Sequence, residues 1–142
     1  MQINLTNRQY RRLLDLVYIG NWVLNSRRED SDRIAEFDEV ESAIFSYCHD
    51  VGMESLVMRP PYSYDIPSQE YVDGGIHEAI AVYEDDVFFE ILAQELAMRD
   101  MDVERLTEEN LPEAAEKMEK YLAEFVGNGC DNVYVSGIDE ED

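Results

Sequence analysis

A chain of 142 residues that is 45% hydrophobic and 31% charged can bury roughly two thirds of its unfolded surface, which excludes a disordered acidic segment. Thirty-three acidic against eleven basic residues give a formal charge of −22, and that field opposes direct binding of DNA or RNA. No stretch approaches the roughly 18 apolar residues of a membrane span, and arginines interrupt the apolar residues of the N-terminal MQINLTNRQYRRLLDLVYIG, so a cytoplasmic protein is expected.

The opening Ile3–Leu5 region alternates polar and apolar residues and suits a short strand. Thr6 with Gln9 is a capping-box start. From there Tyr10, Leu13, Leu14, Val17, Tyr18, Trp22 and Leu24 recur at helical spacing, which predicts a central helix over about residues 7–27. After a charged break, Ile34, Phe37, Val40, Ile44, Tyr47, Cys48 and Val51 form the stripe of a second helix, with Gly52 as its C′ residue. Glu36, Asp38, Glu39 and Glu41 lie mainly off that stripe.

Pro60, Pro61, Pro67 and the Gly74, Gly75 pair exclude a long regular element from residues 53–75. This is an ordered surface loop in expectation, because Tyr62, Tyr64, Ile66 and Tyr71 give it side chains to bury. Residues 76–83 read as a short helix, and Asp85 or Asp86 opens another that ends near Arg99. Thr107 or Asn110 caps a last helix with Pro112 in its first turn, an inner stripe of Leu111, Ala115, Met118, Leu122 and Phe125, and Gly127 and Gly129 at its end. Val133–Val135 favours a strand. The predicted architecture is mainly α, of the α+β class. Four to five helices surround one core in a single domain over residues 1–138, a small two-stranded sheet pairs the N- and C-terminal strands, and Asp139–Asp142 form a solvated acidic tail.

Catalytic motifs are nearly absent: the chain contains no GxxxxGK[ST], GxGxxG, HExxH or GxSxG. Cys48 and Cys130 are isolated, which argues for a reducing compartment without a disulfide framework. Cys48 beside His49 is not a working nucleophile pair, because adjacent helical residues point apart. No catalytic residue, metal ligand or cofactor is assigned.

Carboxylates are the only chemically interesting groups present in quantity. Residues 1–33 sum to +2 and the remaining 109 to −24. Spread over the roughly 7,500 Å² of a folded monomer of this mass, the net charge is about three times more dilute than the phosphates of B-DNA. The arginines at 8, 11, 12, 27 and 28 are expected to partner the protein's own carboxylates. The tyrosine-bearing loop, with Tyr62, Tyr64 and Tyr71, is the best candidate recognition surface, although these side chains can equally cover the core.

Three functional readings follow. The favoured one is a non-enzymatic acidic interaction module that binds a basic protein partner through Tyr62, Tyr64, Tyr71, Glu36, Glu39, Asp85 and Asp86, with nucleic-acid mimicry as a special case that needs the acids on one face. The alternative is a small metal-dependent phosphohydrolase, since Glu36, Glu39, Asp85, Asp86 and Glu90 have helical spacings able to hold Mg²⁺ or Mn²⁺. In the third, charge serves solubility or a high-salt cytoplasm. Monomer and homodimer both remain open, an apolar remnant on the first helix being the feature that would support a dimer.

Overall fold

Helix α1 (Asn7–Asn25) starts where the local chemistry dictates: the Thr6 hydroxyl accepts from the Gln9 amide, and the Gln9 side chain accepts from the Thr6 backbone. The computed structural model describes residues 2–61 and 63–138. Tyr62 and the predicted acidic tail Asp139–Asp142 therefore lie outside the described residues. The chain divides into two units, residues 1–80 and 81–142.

In the first unit α1 is followed by α2 (Ala35–Ser46), which tightens into a 3₁₀ turn over Tyr47–Asp50. Gly52 ends this element at φ +75°, and the Met53 amide reaches back to the Cys48 carbonyl at 3.1 Å. That is the left-handed stop the sequence predicts. Strands β1 (Val57–Met58) and β2 (Ile66–Pro67) pair antiparallel, with Val57 opposite Pro67 and Met58 opposite Ile66. Ser68 caps a single helical turn, α3 (Gln69–Tyr71), by accepting from the Tyr71 amide. A wide turn over Val72–Ile76 follows, where Gly75 takes φ +101°, and α4 (His77–Asp100) begins. Tyr10, Leu14, Phe45, Cys48, Val57, Tyr71, Ile76 and Ile80 form the core, with Trp22, Tyr18 and Ile44 packed against it.

The fold is mainly helical with one small antiparallel sheet, but the strands are not the predicted ones. Ile3–Leu5 and Val133–Val135 form no strand. The sheet is instead the local closure of the proline-containing loop, which costs far less chain entropy than joining segments some 130 residues apart. The two helices expected on either side of Glu84 are one, because no glycine, proline or competing cap interrupts α4 there.

The second helix keeps only part of its expected inner stripe. Cys48 is buried and Ile44 and Val51 pack against the core as assigned, but Phe37, Val40 and Tyr47 are exposed, and Phe45, outside the stripe, is buried. The cause lies on α1, whose inner face carries Asn21 and Asn25. The Asn21 amide donates to Asp38 Oδ1 at 3.0 Å and Glu41 Oε2 at 3.1 Å, and the Asn25 amide donates to Asn21 Oδ1 at 2.8 Å. Buried amides require partners, so α2 presents Asp38 and Glu41 to α1 rather than Phe37 and Val40. Arg33 completes the network with a two-pronged ion pair to Asp38, which holds that carboxyl below the usual carboxylate range.

In the second unit, α4 from Ala81 onward is joined to α5 (Leu111–Asn128). Helix α4 ends in a Schellman turn: the Val103 amide donates to the Met98 carbonyl and Asp102 to that of Arg99, both at 3.1 Å. Asp102 occupies the left-handed position, φ 54°. Thr107 and Asn110 exchange backbone-to-side-chain hydrogen bonds ahead of α5, and Pro112 sits in its first turn. Ala93 and Ala97 of α4 and Ala114 and Phe125 of α5 are buried. The Phe89 and Phe125 rings meet across the two helices with centroids 5.3 Å apart.

Candidate functional site

The residues proposed from sequence separate by burial. Tyr71 is 1% exposed, its ring meets Phe45 edge-on at 5.0 Å, and its hydroxyl donates to Asp15 Oδ1 at 3.0 Å. Burial, with Asp15 second, pushes that phenol well above its usual pKa. Tyr71 is a core residue and not part of a recognition surface. Tyr64, in contrast, is 65% exposed. Glu36 and Glu39 are exposed on α2, and Asp85 and Asp86 are exposed on α4.

Tyr64 and Glu39 line one surface cavity of about 400 Å³, with Ser42, Ser46, Arg59, Ser63 and Asp65. Asp65 organises this end of the loop. Its side chain is 2% exposed, accepts from Arg59 Nε at 2.9 Å and from Arg59 Nη2, and lies 3.4 Å from His49 Nε2. The Arg59 guanidinium holds the Asp65 carboxyl below the usual carboxylate range. His49 therefore faces Asp65, whereas the Cys48 thiol lies 3.4 Å from the Tyr10 hydroxyl. Burial raises the thiol pKa, the opposite of what activates a nucleophile.

Asp85 and Asp86 belong to a second surface, contained within the second unit. With Phe89, Glu90, Leu122, Phe125 and Val126 they line a groove of about 490 Å³ between α4 and α5. Residues 85 and 89, 86 and 89, and 86 and 90 are three or four positions apart and so lie along one side of α4. Phe89 and Phe125 form an aromatic floor, and three carboxylates stand along the α4 rim. None of the three has an ion-pair partner among the described residues. Three of the four bases of this unit pair with other acids: Arg99 with Asp100 at 2.8 Å, Lys120 with Glu116 at 2.9 Å and Lys117 with Glu113 at 4.0 Å. Residues 81–142 hold nineteen acids and four bases, against fourteen and seven in residues 1–80. Most of the uncompensated charge therefore belongs to the sequence of the second unit, which contributes −15 of the −22.

Magnitudes decide what such a surface recognises. An exposed ion pair contributes about 0.2–1 kcal/mol, so three rim carboxylates alone give a weak and unselective attraction. A Leu or Phe side chain fully buried against the floor adds about 1.5–3 kcal/mol. Charge sets the sign of the ligand, and the aromatic floor supplies most of the affinity.

No protein-family model, curated protein or solved structure matches the chain.

The carboxylate spacings that motivated a metal site are not accompanied by convergence. Among the described residues, no three His, Cys, Asp or Glu side chains are gathered closely enough to hold a metal ion. Arg11 and Arg12 share one carboxylate, both pairing with Asp15. Arg28 donates to the backbone carbonyl of Leu24 at 2.9 Å, not to a carboxylate. No helix among the described residues is long and apolar enough to cross a membrane. Sequence reasoning missed Asp65, Arg59 and the four apolar groove residues as site residues. Asp65 carries no motif, Leu122 and Phe125 were legible only as part of a helix stripe, and Phe89 and Val126 were not singled out.

Proposed function

We propose that the chain is a non-enzymatic interaction module that recognises a basic protein partner through its acidic surface. The observation that carries this reading is the α4–α5 groove, where Asp85, Asp86 and Glu90 have no ion-pair partner among the described residues and stand beside an apolar lining, while three of the unit's four bases pair with other acids. Uncompensated charge of one sign accelerates encounter with a partner of the opposite sign and repels competitors. Tyr64 and Glu39 offer a second contact surface in the first unit.

The test is recovery of the tagged chain from its native lysate at 50 and 500 mM NaCl, with identification of what accompanies it. A stoichiometric basic protein retained at low salt and released at high salt supports the proposal. A stoichiometric partner of neutral or acidic character, held equally at both salt concentrations, refutes it.

A further inference from the structure

We infer that the α4–α5 groove of the second unit seats a basic amphipathic helix from another protein, an inference that rests on the interaction-module reading above. The groove is elongated by construction. Its α4 wall runs from Asp85 to Glu90, and exposed Val82 lies one turn earlier on the same side, which gives a track of about 12 Å at 1.5 Å per residue. Such a track matches two to three turns of an incoming helix. Its α5 wall supplies Leu122 and Val126 one turn apart, and Val126 is 88% exposed. An apolar side chain this open at a groove edge, beside a buried Phe125, is placed to meet a ligand and contributes little to the unit's own core.

The chemistry of the occupant follows from the pattern of the lining. Apolar contacts run along the floor and acids along one rim, so the matching ligand carries apolar residues at i, i+3 or i+4 and i+7, with Lys or Arg beside them. A purely basic extended peptide leaves the floor unfilled. A purely apolar helix leaves three carboxylates desolvated without partners. A second copy of this chain brings residues 81–142 with a net charge of −15 toward an identical field, which charge complementarity disfavours.

The experiment is fluorescence anisotropy at 50 mM NaCl with two fluorescein-labelled 15-residue lysine–leucine peptides of identical composition. One has leucines on a single helical face and the other has them spread around the helix. The full chain is compared with Val126→Asp, with Asp85→Asn/Asp86→Asn, and with the charge-matched control Glu104→Gln/Glu108→Gln. Circular dichroism confirms that each variant is folded. The facially amphipathic peptide is expected to bind at least tenfold tighter than its isomer. Val126→Asp and the double Asn variant each weaken it tenfold or more, and the control less than twofold.

Equal affinity for both peptides, or equal weakening by the control, overturns the groove inference and leaves the acidic-module reading standing. Absence of binding by either peptide removes both. A chain that sediments as a dimer, returned to monomer by Val126→Asp, places a second copy in the groove and overturns the inference.

Discussion

Replacing Asn25 by alanine is the sharpest perturbation of the first unit, because one side chain there joins the end of α1 to the start of α2. Its amide donates to Asn21 Oδ1 at 2.8 Å and to the Ile34 carbonyl at 3.1 Å, and its carbonyl accepts from the Ile34 amide at 2.9 Å. The residue is only 1% exposed. Each hydrogen bond contributes about 1 kcal/mol net, and a buried group left without a partner adds a further penalty of about 1–3 kcal/mol. Asn25→Ala is therefore expected to destabilise by about 4–6 kcal/mol, a large fraction of the about 5–15 kcal/mol typical of a domain. Urea unfolding followed by emission of Trp22, the only tryptophan, reads this unit directly, since that ring packs 4.7 Å from His77. The isosteric Asn25→Asp keeps the acceptor for Ile34 but sets a carboxylate against two carbonyl oxygens. Burial against acceptors disfavours the ionised form, so the penalty is expected at neutral pH and relieved as pH falls. A change below about 0.5 kcal/mol for Asn25→Ala refutes the claim that this network orients α2.

Further outcomes follow from single groups. Burial raises the carboxyl pKa of Glu41, with neighbouring Asp38 adding to it. The folded state thus holds this proton more tightly, and the ionised form costs stability above the folded pKa. Glu41→Gln, which can still accept from Asn21, should stabilise at pH 7 and lose that advantage as pH drops, in parallel melts of both proteins. Asp102→Gly removes a left-handed non-glycine residue and should stabilise by about 0.5–1 kcal/mol in urea titrations. A loss of stability would show that the Asp102 side chain does something other than end α4. Cys130 is exposed and Cys48 buried, so a thiol reagent should modify one thiol at once and the second only on unfolding. Simultaneous modification of both thiols would contradict the burial of Cys48.

Elements specified by their own residues were legible in the sequence. The Thr6–Gln9 box, Gly52 at C′ and Pro112 at the start of α5 each act within a few positions, and each stands where predicted. What failed depended on a distant partner. Asn21 and Asn25 drew no role from the sequence pattern, yet in the fold they select which face of α2 turns inward. Tyr71 read both as a side chain that covers the core and as a recognition residue, and the choice between them depended on Asp15, 56 positions away. At the candidate site, Asp85, Asp86 and Glu90 were visible from helical spacing, whereas Phe89 was hidden among apolar neighbours on every side of α4. Its meaning appears only when Phe125 of another helix stands against it.

The account rests most heavily on electrostatic recognition by an apolar-floored groove, and the association kinetics of the recovered partner test it most directly. Measured by surface plasmon resonance between 50 and 500 mM NaCl, the association rate should fall tenfold or more while the dissociation rate changes far less. An association rate that is independent of salt would contradict the central claim.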